Sequence, residues 1–115
     1  MQPQAAEHRI PLFEEGDLKD GDTFLLPADA FGGTDSIAVF RDEGQYHALD
    51  DTCPHALASL SEGWVEDGEV ECPMHGGRFC LRTGEATAMP ATGAARTHPI
   101  EVHDGRVWLI LGGSE

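Results

Sequence analysis

Apolar residues fall in short runs along the chain, and glycine, often after aspartate, interrupts them at near-regular intervals. No stretch carries the three-to-four-residue recurrence of an amphipathic helix. Strand-like segments rich in β-branched and aromatic side chains are Thr23 to Leu26, Ile37 to Arg41, Tyr46 to Leu49, Val65, Val70, Phe79 to Leu81, Ile100 to Val102 and Val107 to Leu111. Between them stand Asp20-Gly21, Glu43-Gly44, Asp67-Gly68, Thr83-Gly84 and Asp104-Gly105, residue types that tolerate the positive φ of tight hairpins. The pattern predicts an all-β protein of short antiparallel strands. The first eight or so residues and the last four, Gly112 to Glu115, are expected to fray. Met89 to Arg96 reads as a loop, because Pro90 lacks a ladder donor and Gly93 and the alanines offer little to pack.

At 115 residues and 40% apolar the chain suits one compact domain. That is enough for a single core without disulfide staples, and too little for a catalytic domain plus a second module. Seven basic against 21 acidic residues give a formal net charge of -14, which repels phosphate backbones and anionic lipid. No nucleic-acid or membrane partner is expected. Met1 to Ile10 carries no apolar run of signal-peptide length, and no apolar run approaches the roughly 18 residues of a membrane span. A soluble, cytoplasmic protein is therefore expected.

Three cysteines, Cys53, Cys72 and Cys80, are an odd count and too few for a disulfide framework. Two of them stand close to histidines. Cys53-Pro54-His55 is followed after sixteen residues by Cys72-Pro73-Met74-His75. Each half follows a strand-like segment and precedes small residues, so two hairpin loops facing each other would offer two thiolates and two imidazoles to one site. Such donors suit zinc or an iron-sulfur cluster, not magnesium or calcium.

These residues resemble the Rieske ferredoxins that serve aromatic-ring-hydroxylating dioxygenases, of the biphenyl or phenylpropionate kind. The resemblance runs through Tyr46-His47-Ala48-Leu49-Asp50-Asp51-Thr52-Cys53, Ser61-Glu62-Gly63 and Cys72-Pro73-Met74-His75-Gly76-Gly77-Arg78-Phe79. It continues in Arg82-Thr83-Gly84 and in Met89-Pro90-Ala91-Thr92, which is similar to the family's proline loop. It implies an antiparallel β sandwich or partly open barrel with a small cluster-binding subdomain inserted at about residues 44 to 82. It also implies one 2Fe-2S cluster, with Cys53 and Cys72 on one iron and His55 and His75 on the other, the two histidines serving as the electron port. Two thiolates neutralise the +2 core of an oxidised cluster, whereas four would leave it at -2. An electron then enters more easily, at roughly -150 to +300 mV against about -400 mV for four-cysteine clusters. Gly76 and Gly77 would let backbone N-H groups approach the sulfurs.

The implied role is a one-electron carrier, not catalytic alone, between an NADH-dependent flavin reductase and the Rieske centre of a terminal oxygenase. High-potential Rieske proteins carry an extra cysteine in each ligand loop, joined as a disulfide, and Ser and Tyr hydroxyls on the cluster. The matching positions here are Ala58, Met74, Gly77 and Phe79, so a low-potential member is expected.

Two rival readings are a zinc-stabilised structural subunit and a Rieske-like small subunit of another reductase. The usual zinc knuckles pair Cys with Cys and His with His, unlike this alternation. Intact ligands argue against a subunit that has lost its cluster. Cys80, next to Phe79, reads as a small buried hydrophobe. His98 and His103, with Glu101 and Asp104 nearby, are five apart and expected on opposite faces of one strand. Trp64 and Trp108 read as packing residues. From Asp42 to Gly77 there are nine acidic residues and no Lys or Arg, a negative segment expected to steer docking.

Overall fold

The computed structural model describes residues 7–33, 35–52, 58–74, 76–88 and 94–112. The strands are β1 (Glu7–Glu14), β2 (Thr23–Leu26), β3 (Ile37–Asp42), β4 (Gln45–Asp50), β5 (Trp64–Glu66), β6 (Glu69–Glu71), β7 (Arg78–Cys80), β8 (Ala86–Ala88), β9 (Thr97–His98), β10 (Ile100–His103) and β11 (Arg106–Gly112). They form three antiparallel sheets, ordered β1-β11-β10, β2-β3-β4-β9 and β5-β6-β7-β8. One-turn 3₁₀ helices at Ala28–Ala30 and Leu60–Glu62 complete the described elements.

The apolar run of β3 explains the layering. Ile37, Ala38, Val39 and Phe40 are all buried, so this strand is covered on both faces. Alternate side chains serve different cores. Ile37 and Val39 join Leu26, Ala48 and Leu109 in one core, with Ile10, Leu12, Phe13 and Ile100 of the β1-β11-β10 sheet packed against it. Ala38 and Phe40 join Leu49, Leu60, Val70, Cys72, Phe79, Leu81 and Ala95 in the other, which reaches the β5-β6-β7-β8 sheet. The central sheet thus forms a sandwich with one neighbour and carries the small sheet on its other face. Truncating one buried phenylalanine typically costs about 3 to 5 kcal/mol, so Phe40 alone is a major tie between the layers.

Three of the glycine turns close two-residue hairpins, at Glu43-Gly44, Asp67-Gly68 and Asp104-Gly105. Both residues of each pair have positive φ, and the strand partners on either side are Asp42 with Gln45, Glu66 with Glu69, and His103 with Arg106. This is the turn geometry that matches strand twist.

Several expectations need correction. β1 begins at Glu7 and pairs as far as Gly112, so neither residue is frayed. Pro11 is accommodated because β1 lies at a sheet edge, with the ladder slipping by one residue at Leu12. β8 and β9 also lie outside the predicted strands. Leu81 is a buried turn residue and not part of β7. In the stretch Met89 to Arg96, residues 89–93 lie outside the described residues; Ala95, expected to pack little, is 4% exposed in the second core.

Candidate metal centre

Cys72 follows β6 directly and is fully buried. Its N-H donates to the Gly77 carbonyl at 2.8 Å and its carbonyl accepts from the Gly76 N-H at 3.0 Å, which folds the β6-β7 loop back on itself. Gly76 takes φ +76 there, a conformation that disfavours side-chain-bearing residues. A thiol is thereby held at the base of a tight loop, against Leu60, Val70 and Phe79 of the core. Cys53, His55 and His75 lie outside the described residues.

The segment carrying Cys53 and His55 leaves from β4 and returns at Ser59, which bridges Thr52 in antiparallel fashion before the 3₁₀ helix Leu60–Glu62. This single antiparallel pair joins the described ends of the expected hairpin loop, and residues 53–57 between them lie outside the described residues. Asp51 supports this closure by accepting from the Ser61 N-H at 2.8 Å and from the Ser59 hydroxyl. Nothing in the sequence distinguishes Asp51 from its acidic neighbours.

A buried soft thiol at a loop base, in a motif that pairs cysteines with histidines, fits an iron-sulfur cluster. Among the described residues no three His, Cys, Asp or Glu side chains gather as metal ligands; of the four predicted ligands only Cys72 is among them. His98 and His103 are on separate strands in separate sheets, not on two faces of one strand, since Pro99 divides them. His98 Nε2 lies 2.7 Å from Asp50 Oδ1 in a half-buried pair, whereas His103 is exposed beside Asp104.

Other expectations shift. Cys80 is half-buried, not buried, and its thiol pKa is lowered chiefly by a hydrogen bond from the Thr83 side chain. Trp64 is 60% exposed and does not serve as a core residue. Trp108 is half-buried and, with Arg9, Glu101, Val102 and His103, lines an open groove. The acidic segment ends one residue before Arg78, whose guanidinium lies 3.4 Å from Glu69, 3.3 Å from Glu71 and 3.9 Å from Glu66. β7 lies beside β6 and brings this counter-charge onto the acidic face, which a window stopping at Gly77 misses.

Together these features describe a small all-β iron-sulfur protein. The Rieske [2Fe-2S] domain matches residues 8–99, and the chain belongs to this family, whose cofactor is a Rieske-type 2Fe-2S cluster. It is 48% identical over 79 residues to the 3-phenylpropionate/cinnamic acid dioxygenase ferredoxin subunit of Photorhabdus laumondii, covering 68% of this chain and 75% of that one. The protein of the same description from Escherichia coli is 45% identical over 76 residues, with 65% and 72% covered. Among solved structures, a chain in a complex of reduced oxygenase and oxidized ferredoxin in carbazole 1,9a-dioxygenase superposes with a TM-score of 0.82 at 33% identity, covering 88% of this chain and 91% of that one. The Sphingomonas yanoikuyae B1 ferredoxin gives a TM-score of 0.81 at 28% identity, with 91% and 100% covered.

Proposed function

We propose that this protein is the one-electron carrier of a ring-hydroxylating dioxygenase system, not catalytic alone, receiving electrons from an NADH-dependent flavin reductase and passing them to a terminal oxygenase. The observation that carries the reading is the buried Cys72 loop, in a chain that belongs to the Rieske family and resembles ferredoxin subunits over most of its length. Cys53 and Cys72 would hold one iron and His55 and His75 the other. When bound, the cluster supplies a centre that takes up and gives back one electron. The cluster-binding part, expected at about residues 44 to 82, is supported by the small sheet from Trp64 to Ala88, which extends it to β8. No helix among the described residues is long and apolar enough to cross a membrane, and the cytoplasm is the proposed location.

Phe79 is wholly buried in the core and brings no hydroxyl, Met74 is exposed, and Ala58 packs against the core. These positions support a potential near the bottom of the roughly -150 to +300 mV Rieske range. The test is iron and acid-labile sulfide analysis of purified protein, followed by potentiometric titration. About two irons and two sulfides per chain are expected, with the chromophore abolished by Cys53→Ala or Cys72→Ala. Stoichiometric zinc without sulfide would overturn the reading, and a clearly positive potential would overturn its low-potential part.

A further inference from the structure

Asp51 makes most of the described bonds that close the segment bearing Cys53 and His55. It is 7% exposed, and a carboxylate this deep persists where donors compensate its lost hydration. Its N-H donates to the Ser36 carbonyl at 2.8 Å, and its carbonyl accepts from the Leu60 N-H at 2.7 Å. Oδ1 accepts from the Ser61 N-H at 2.8 Å, and Oδ2 accepts from the Ser59 hydroxyl. Ser59 sits at the N-cap of the 3₁₀ helix Leu60–Glu62 without capping it; Asp51 satisfies those leading N-H groups instead. The adjacent Thr52 is tied by its hydroxyl to Asp35 Oδ1 at 2.9 Å and by its N-H to Asp35 Oδ2 at 3.3 Å.

From Ser59 the chain runs directly into Leu60, which is buried in the same core as Cys72. Entry and exit of the first ligand loop are therefore joined by one side chain, and the exit is anchored beside the second loop's ligand. We infer that Asp51 is a positioning residue for the cluster: its carboxylate latches the first ligand loop shut and fixes its spacing from Cys72. The inference rests on the proposed ligand set and names a residue outside it.

The latch requires two side-chain hydrogen bonds, to the Ser61 N-H and to the Ser59 hydroxyl, not a charge. The amide of Asp51→Asn has the shape to rebuild them, its oxygen on the Ser61 N-H and its nitrogen donating to Ser59 Oγ. That hydroxyl can then donate to Ser61 Oγ, 2.6 Å away. Asp51→Ala loses both contacts, and Ser59→Ala loses one.

The experiment follows loss of the visible cluster absorbance after an iron chelator is added to the holoprotein, with electron paramagnetic resonance of the reduced form beside it. Asp51→Ala should release iron at least about tenfold faster than wild type and broaden the resonance, Asp51→Asn should stay within about twofold, and Ser59→Ala should fall between. Val107→Ala, which opens space in the other sandwich layer, should lower thermal stability without changing release. Equal release by wild type and Asp51→Ala would overturn the latch, as would Asn behaving like Ala or Val107→Ala releasing just as fast. Should Asp51→Ala not fold, Ser59→Ala releasing at the wild-type rate would overturn it equally. A wild-type chain that takes up no cluster would overturn both this inference and the proposed function, whereas failure of the variants alone leaves the carrier reading standing.

Discussion

Cys80 and Phe79 are neighbours on β7, yet strand alternation gives them opposite surroundings. Phe79 faces the core, while Cys80 lies opposite Glu69 on the outer side, with Thr83 hydrogen-bonded to its thiol. That bond favours the thiolate and outweighs the opposing effect of burial, so the pKa is lowered from the ordinary thiol value. More thiolate is present at neutral pH than in an unperturbed cysteine. Thr83→Val should move the midpoint of Cys80 alkylation by iodoacetamide to higher pH and slow the reaction at pH 7 by about two- to fourfold, since lost thiolate is partly offset by greater nucleophilicity. Mass-spectrometric mapping of the labelled cysteine checks this. An unchanged pH profile would remove the hydroxyl from the account.

At the scale of elements, glycines that look alike in the sequence do different work. Gly105 has φ +76 with nothing near an added Cβ, whereas at Gly84, φ +80, a Cβ would lie 2.0 Å from the Ala95 carbonyl oxygen. Gly105→Ala should cost about 1 to 2 kcal/mol, the left-handed backbone penalty alone, and Gly84→Ala more than about 3 kcal/mol because backbone must also move. Denaturant unfolding of the holoprotein measures both, and equal costs would contradict the close approach. The turn at Asp104-Gly105 was legible because residue type alone dictates its geometry, and β3 was legible because its apolar run has no other stable placement. β1 was hidden by Pro11 and by flanking charges, whose tolerance depends on an edge position that only the sheet order reveals. β8, Ala86-Thr87-Ala88, has little strand propensity of its own and is held by pairing with β7. The Cys and His spacing made the candidate ligands legible, while the Asp51 closure depends on Ser59 and Ser61 arriving from the far side of the loop.

At the scale of the whole molecule the net charge is -14, and folding brings one counter-charge onto its acidic segment. Arg78 lies among Glu66, Glu69 and Glu71, and these pairs are too exposed to be decisive for stability. Their effect belongs to the long-range field. Arg78→Gln should therefore leave the fold intact, speed reduction by the proposed flavin reductase at low salt, and steepen the loss of rate as salt screens charges beyond about 8 to 10 Å. Stopped-flow rates over a range of ionic strength decide it; flat profiles for both proteins would make the acidic face merely solubilising. The pairing of β1 with β11 has a consequence of another kind, for the timing of synthesis. Glu7 lies beside Gly112, so every residue between them must be synthesised before this ladder can close. At about 5 to 20 residues per second that wait is roughly 5 to 20 s, during which Ile10, Leu12 and Phe13 lack the strand that later shelters them, and β1 is open to chaperones.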